Sequence, residues 1–380
     1  TGAALSGRIA VDLAKLLQGD RDSAWGTWAD ATVSVPLLRG PGRHIVRQSL
    51  TQAGRNGLYA IYALEEYKRG LAVSVSEAFL GVMQAADQAY NAERNHATLE
   101  TSAERARAMA QAGRLPEFQV NQAYQDQLRA YDRSVSARLS AAQSLDRFKV
   151  SLGLPPDAAV VLKRDAFLQL IQDARERIGQ TGTLPEEQHV IIAALENRLD
   201  MRTAADRVYD AQRGVVIAAD NLRAEISLLG SATAGSSRSL GSAGEGDADL
   251  EISKGIFSSL IEIDLPIERT AERNAFRSSI MYLEQAVRNA QDKEDAIKLQ
   301  VLGALRELEE SRESIETQLE AVRLAERRQG STDLFLKAGR AEMRDVLEAE
   351  ESLLSARHAL TAAIVNYRVT ELQLHRDVGV

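Results

Sequence analysis

Gln111-Ala112-Gly113-Arg114-Leu115 and Lys337-Ala338-Gly339-Arg340-Ala341 are the two stretches whose reading decides the fold. They stand 226 positions apart, and the match continues without a gap. Val120 matches Val346, Ala123 matches Ala349, Leu128 matches Leu354, Ala130 matches Ala356, Ala137 matches Ala363 and Gly153 matches Gly379. With Ala112, Gly113 and Arg114 against Ala338, Gly339 and Arg340, nine columns are identical. A repeat at so long a period is not a short-repeat solenoid. It predicts two large structural halves.

Proline placement says what surrounds those turns. The seven prolines sit at positions 36, 41, 116, 155, 156, 185 and 266. Because proline breaks helix interiors, the clear stretches 42–115 and 267–380 are where very long helices run. Over about 43–110, Ile45, Ala53, Ala60, Leu64, Leu71, Val75, Phe79 and Val82 mark an apolar seam, and a helix of that span is roughly 100 Å long. Over about 271–328, Ile280, Leu283, Val287, Ala290, Ile297, Val301, Leu305, Leu308, Ile315, Leu319 and Val322 follow spacings of three, four and seven, as in a coiled coil. Glycine after each long helix suits a left-handed C-cap. A second helix then returns, with Val120, Tyr124, Leu128, Tyr131, Val135 and Leu139 as its seam in the first half. In the second half Val346, Leu353, Leu360, Tyr367 and Leu374 fall every seven residues. Each half therefore reads as a long antiparallel helical hairpin.

Short alternating segments precede both hairpins: Thr32-Val33-Ser34-Val35-Pro36-Leu37 and Leu260-Ile261-Glu262-Ile263-Asp264-Leu265-Pro266-Ile267. Period two means strand. A helix over 187–222 runs into a strand near 223–234, and a Gly/Ser-rich loop at 235–254 joins it to the next. The first 26 residues show a short amphipathic piece at Ile9, Leu13, Leu16 and Leu17, with no clear strand. The expected organisation is a first repeat at 1–154 with its turn at 112–116, a linker at 155–186, and a second repeat at 187–380 with its turn at 338–341. No counterpart of the 187–222 helix precedes the first strands. The chain opens on Thr1 rather than Met and reads as processed or truncated. The fold class is mainly α with a small β part.

Composition excludes much. Aromatic residues are 5% of the 380, too few for one thick globular core, and the net charge of −8 argues against a nucleic-acid partner. There is no cysteine, so no disulfide framework and no thiolate metal site or nucleophile. No run of 18 apolar residues marks a transmembrane helix. His44, His96, His189, His358 and His375 are scattered without HxH or HExxH spacing. Gly40-Pro41-Gly42 lacks the Lys-Ser/Thr of a phosphate loop. The expectation is no enzyme, no catalytic residue, no metal and no cofactor.

Two patterns carry physics. In a strand, Ile261, Ile263 and Leu265 share one face and Glu262 and Asp264 the other; Val33 and Val35 likewise share a face. That fits a transmembrane barrel wall with an apolar side to lipid and a polar lumen. It also fits an amphipathic strand packed on a soluble core. The second pattern is Asp345 and Glu348, three apart and so on one helix face. On a lone helix both are simply solvated, whereas in a symmetric assembly they form rings that draw cations. The first half has Gln119 and Gln122 in those columns, so one hairpin alone would line such a ring.

The element order, the duplication, the two Ala-Gly-Arg turns, Asp345-Val346-Leu347-Glu348-Ala349 and Leu152-Gly153-Leu154-Pro155 together resemble the TolC-type outer-membrane efflux family. Ala194-Leu195-Glu196-Asn197-Arg198-Leu199-Asp200-Met201 is similar to the family's opening of its second half, where proline is usual at the position of Leu199. The resemblance implies a homotrimer in the outer membrane of a Gram-negative bacterium. Each chain would give four strands to a shared 12-stranded barrel in contact with outer-membrane lipid, with Val33, Val35, Ile261, Ile263 and Leu265 facing that lipid. The helices would form a periplasmic tunnel, a passive duct for efflux or type I secretion. A periplasmic adaptor (membrane fusion) protein and an inner-membrane pump would be its partners. Gly113, Arg114, Leu115, Gly339, Arg340, Ala341 and Arg344 would lie at the adaptor-docking tip, and Asp345 and Glu348 would ring the periplasmic entrance. The family's closed-state latch of Tyr, Arg and Asp is not carried over, because Leu336, Ala341 and Gln119 hold those columns. Pairing of Arg340 or Arg344 with Asp345 is a substitute. The competing reading is a soluble coiled-coil scaffold, which has no use for two amphipathic strands around the 235–254 loop.

Overall fold

The computed structural model describes residues 2–14, 24–162, 169, 172, 186–235, 252–265 and 268–379. The elements run β1 (Ala4–Ala14), β2 (Ala24–Pro36), a single turn α1 (Arg43–Val46), α2 (Gln48–Gln111), α3 (Glu117–Ser151), α4 (Glu187–Asn197), α5 (Leu199–Asp220), β3 (Glu225–Gly235), a 3-10 turn at Ile252–Lys254, β4 (Ile256–Asp264), α6 (Thr270–Lys337) and α7 (Met343–Val378). Clustering of contacts divides the chain into two compact units, Thr1–Tyr62 with Arg202–Asp292 and Ala63–Met201 with Lys293–Val380. Most of the 155–186 linker and of the 235–254 loop lies outside the described residues.

The first unit carries a four-stranded antiparallel sheet in the order β1-β2-β3-β4. The segment expected as a short amphipathic piece is strand β1. Its Leu5-Ser6-Gly7-Arg8-Ile9 alternates apolar and polar, and its register on β2 sets Leu5 opposite Val33 and Ile9 opposite Ala29. Strand β2 begins well before the Thr32 expected for it. In the same unit the start of α2 is tied to α5 by charge. Arg55 holds Asp206 at 2.9 Å and Asp210 at 2.6 Å, and the Tyr59 hydroxyl donates to Asp210 at 2.7 Å. Burial pushes the Asp210 carboxyl up, but the bonds from Gln52 and Tyr59 and the charges of Arg55 and Arg213 outweigh it and leave it low.

The second unit is helical. Long α2 and α6 end in the same motif at the duplicated turns. Gly113 has φ +71 and Gly339 φ +69. The Arg114 N–H returns to the Met109 carbonyl at 2.9 Å and the Arg340 N–H to the Phe335 carbonyl at 2.8 Å. This is the six-to-one bond of a Schellman cap, which needs a left-handed residue and therefore favours glycine. Along α6, Ile297, Val301, Leu305, Leu308 and Ile315 are buried. Ile297, Val301 and Leu305 pack with Val190 and Ala194 of α4, and Leu308 and Ile315 with Leu360, Ile364 and Tyr367 of α7. The seam expected on α3 lies on the outside instead. Tyr124, Leu128, Tyr131, Val135 and Leu139 are exposed, while Ala123, Ala130 and Ser134 are buried. Small residues let α3 approach its neighbours closely, so the bulky stripe is turned outward. The helix expected over 187–222 is broken at Arg198, whose ψ of 125 is extended. That is the conformation a following proline would impose, yet Leu199 stands there and the side chain of Arg198 holds the break.

Candidate functional site

The sheet presents two chemically distinct faces. Residues directly opposite on adjacent strands share a face. One face therefore joins Leu5 and Ile9 of β1, Ala29, Ala31, Val33 and Val35 of β2, Leu228 and Ala232 of β3, and Phe257, Ile261 and Ile263 of β4. Leu5 and Ile9 are 76% and 77% exposed, and Ile261 and Ile263 are exposed as well. The register brings Val33, Val35, Ile261 and Ile263 together on this face; Leu265 lies one residue beyond the end of β4. Buried neighbours do not cover it, and an exposed apolar surface of this kind marks contact with a membrane or another apolar partner.

The other face is mixed: Trp28, Leu229, Leu260 and Ile256 lie on it, but hydroxyls and charges fill the rows between them. Ser6, Thr32, Ser231 and Ser258 form one row across all four strands. Ser6 and Thr32 are hydrogen-bonded at 2.5 Å and Ser231 and Ser258 at 2.7 Å. In the next row Arg8 stands opposite Asp30 and Asp30 opposite Thr233. Glu262 lies opposite Ser227 and Asp264 opposite Glu225, which pairs with Arg39 at 3.3 Å. Hydroxyls and charges in these rows fit a wall that meets water. Sequence reasoning missed the β1 share of this wall. The signal was Ser6 and Arg8 alternating with Leu5, Gly7 and Ile9. Among the described residues no helix is long and apolar enough to cross a membrane.

In the second unit the two duplicated turns meet. Leu336 and Met343 are buried with Leu99, Ala106, Ala123, Val346 and Leu347, and Leu115 packs against them. The buried side-chain oxygen of Gln119 lies 3.5 Å from the Met343 N–H. Sequence reasoning had noted Leu336 and Gln119 as departures from the family pattern without seeing that they pack at one joint. Beside it Asp333 is gripped from two sides, by Lys337 and by Arg105, each at 2.6 Å. The hydrogen bond from Lys337, with help from Arg105, holds its carboxyl below the usual range. Gly113, Arg114, Gly339, Arg340 and Arg344 are exposed and Leu115 and Ala341 partly so.

Asp345 and Glu348 lie exposed on the side of α7 opposite Met343, Val346 and Leu347. Each has local work. Asp345 accepts the Glu342 backbone N–H at 2.9 Å in a reciprocal capping box. Glu348 pairs with Arg328 of α6 at 2.9 Å. Neither Arg340 nor Arg344 forms an ion pair with Asp345 among the described residues; Asp345 is spent on the helix N-terminus.

The protein shares its fold with solved outer-membrane channels. It aligns with CusC at a TM-score of 0.76 and 18% identity over 99% of this chain and 83% of that one. The CmeC outer membrane channel of Campylobacter jejuni aligns at 0.71 and 14%, over 99% and 77%. The open-state MtrE outer membrane channel of Neisseria gonorrhoeae aligns at 0.72 and 17%, over 99% and 80%. No curated protein matches by sequence. The family model for outer membrane efflux proteins matches residues 190–380, just over half of the chain, and it is to this family of outer-membrane efflux channels that the chain belongs.

Proposed function

We propose that three copies of this chain form a duct, a passive channel-tunnel of a tripartite efflux or type I secretion system. The observation that carries this reading is the sheet. It has one apolar face and one face crossed by a row of hydroxyls and by charged residues, and among the described residues the outer edges of β1 and β4 pair with no strand. A membrane-spanning sheet must close, since unpaired backbone groups in lipid are too costly. Four strands are too few to close a barrel around a lumen, whereas 12 from three copies suffice. Val33, Val35, Ile261, Ile263 and Leu265 then face lipid, and Ser6, Thr32, Ser231 and Ser258 face the passage. The wall has no catalytic role.

The tip formed by the turns at 112–116 and 338–341 is the end that a periplasmic adaptor grips, with an inner-membrane pump supplying substrate and energy. Asp345 and Glu348 of three copies make an acidic ring there. Because Asp345 also caps α7, an alanine would confound charge with helix fraying. The test is therefore planar-bilayer conductance of the detergent-purified protein beside Asp345→Asn/Glu348→Gln, which keeps a side-chain oxygen for the cap. Cation-selective conductance that loses selectivity in the variant supports duct and ring together. A protein that stays soluble without detergent and conducts nothing would establish the scaffold reading instead.

A further inference from the structure

The groove between α6 and α7 has chemistry that neither helix pairing nor conduction uses. It encloses about 290 Å3 and is lined by Glu307, Glu310, Ser311 and Ser314 of α6 and Asn366 and Thr370 of α7, with Ala363 and Val369 completing the wall. The three-and-four spacing of the α6 residues puts them on one face. Elsewhere on the long helices α2 and α6 several hydroxyls are spent on their own backbone. Thr98, Ser102, Thr317 and Thr332 each donate to the carbonyl four residues back. Among the described residues Ser311, Ser314 and Thr370 make no such bond, although Thr370 is only 8% exposed. Several other carboxylates of α6 are paired, Glu294 with Lys298, Glu320 with Arg323 and Glu326 with Arg357, and Glu309 and Glu313, which are not paired among the described residues, lie off the groove. Glu307 and Glu310 have no ion-pair partner among the described residues.

We propose that this groove binds an aliphatic polyamine cation. Two carboxylates one helical turn apart match two positive charges. The hydroxyls of Ser311, Ser314 and Thr370 and the amide oxygen of Asn366 supply acceptors for N–H donors. The lining contains no aromatic ring, which disfavours a quaternary ammonium held by cation–π contact. Two carboxylates without imidazole are a poor metal cage, and among the described residues no cluster of three metal-ligating side chains exists. The site lies on the helical unit and does not depend on the chain's conducting anything.

The experiment is titration calorimetry of the full chain in detergent with spermidine, in about 150 mM salt so that diffuse attraction to a net-negative surface is screened. Saturable binding at one site per chain is expected. Glu307→Gln/Glu310→Gln should abolish it and Thr370→Val should weaken it about tenfold, the usual loss for a hydrogen bond to a charged group. Glu309→Gln/Glu313→Gln, off the groove on the same helix, should leave it intact, with melting temperatures showing that all variants fold. Binding absent from the parent, equal binding of tetramethylammonium, or equal losses from both glutamate pairs would each overturn the proposal.

Discussion

Arg198 clamps Asp200 with both arms of its guanidinium, Nε to Oδ1 at 3.0 Å and Nη2 to Oδ2 at 2.7 Å. Its remaining nitrogen reaches Gln300 of α6 at 3.0 Å and the Asp377 carbonyl of α7 at 3.3 Å. Lys293 adds a second cation to Asp200 at 2.7 Å. One side chain thus fixes the break between α4 and α5 to both helices of the second hairpin.

Burial pushes the Asp200 carboxyl up, but the hydrogen bonds from Arg198 and Lys293 outweigh it and hold it well below the ordinary carboxylate range. A depressed folded value means that the stabilisation is complete above the unfolded value of about 3.9 and is lost only as pH falls toward the folded one. Arg198→Lys keeps the charge and loses the fork. With both side chains mostly buried, we expect it to cost roughly 2 kcal/mol, read as a lower unfolding midpoint at pH 7. An unchanged midpoint would mean that backbone packing alone holds the break.

Gly153 and Gly379 occupy matching columns with φ +74 and +80, yet their surroundings differ. A Cβ on Gly153 meets nothing within 4 Å, whereas one on Gly379 lies 3.0 Å from the Asn197 carbonyl carbon. Gly153→Ala should cost only the left-handed strain, about 1 kcal/mol. Gly379→Ala should cost measurably more, because the end of α7 must move off α4. Denaturant unfolding of the two variants side by side tests this. Equal costs would show that the contact with Asn197 gives way freely.

Much of this was legible in the sequence, and the gaps have physical causes. The duplicated turns were legible because glycine at a Schellman cap is a backbone requirement that both copies keep. β4 was legible because Ile261-Glu262-Ile263-Asp264 alternates strictly. β1 was not, since Gly7 and Ala10 dilute its alternation and Ile9, Leu13, Leu16 and Leu17 can be fitted to a helical period. The outward turn of Tyr124 and Leu128 was hidden because period shows which residues share a stripe, not which stripe faces the neighbour. The joint of Leu336, Met343 and Gln119 comes from positions 224 apart for its one hydrogen bond, and no local pattern announces it.

His358 of α7 has its Nε2 shielded from solvent without a hydrogen-bond partner, as does the Nε of Arg133 of α3. Asp87 of α2 also faces the imidazole, but its carboxylate already accepts from Thr361 and Asn91, each at 2.9 Å. Burial lowers the pKa of His358 and the nearby Arg133 charge lowers it further, against the pull of Asp87 and the Gln88 backbone. The folded protein therefore favours neutral imidazole. Its contribution is complete above the unfolded value of about 6.5 and is lost as pH falls through the folded one. Melting curves from pH 8 to pH 5 should show the parent losing more stability than His358→Gln. Parallel losses would place the acid sensitivity elsewhere.

The two faces of the sheet give the sharpest functional prediction. Ile261 stands opposite Leu228 on the apolar face, and Ser231 stands opposite Thr32 and Ser258 on the hydroxyl face. If the first face meets lipid, an arginine there must be dehydrated, at roughly 2–4 kcal/mol near the bilayer midplane. Ile261→Arg should therefore leave little folded protein in the outer-membrane fraction. Ser231→Arg adds the same side chain to the wet face, where the guanidinium stays hydrated. That variant should reach the membrane and instead shift conductance toward anions. Reversed outcomes, with Ile261→Arg tolerated and Ser231→Arg excluded from the membrane, would turn the wall inside out. Equal tolerance of both would remove the sheet from the membrane altogether.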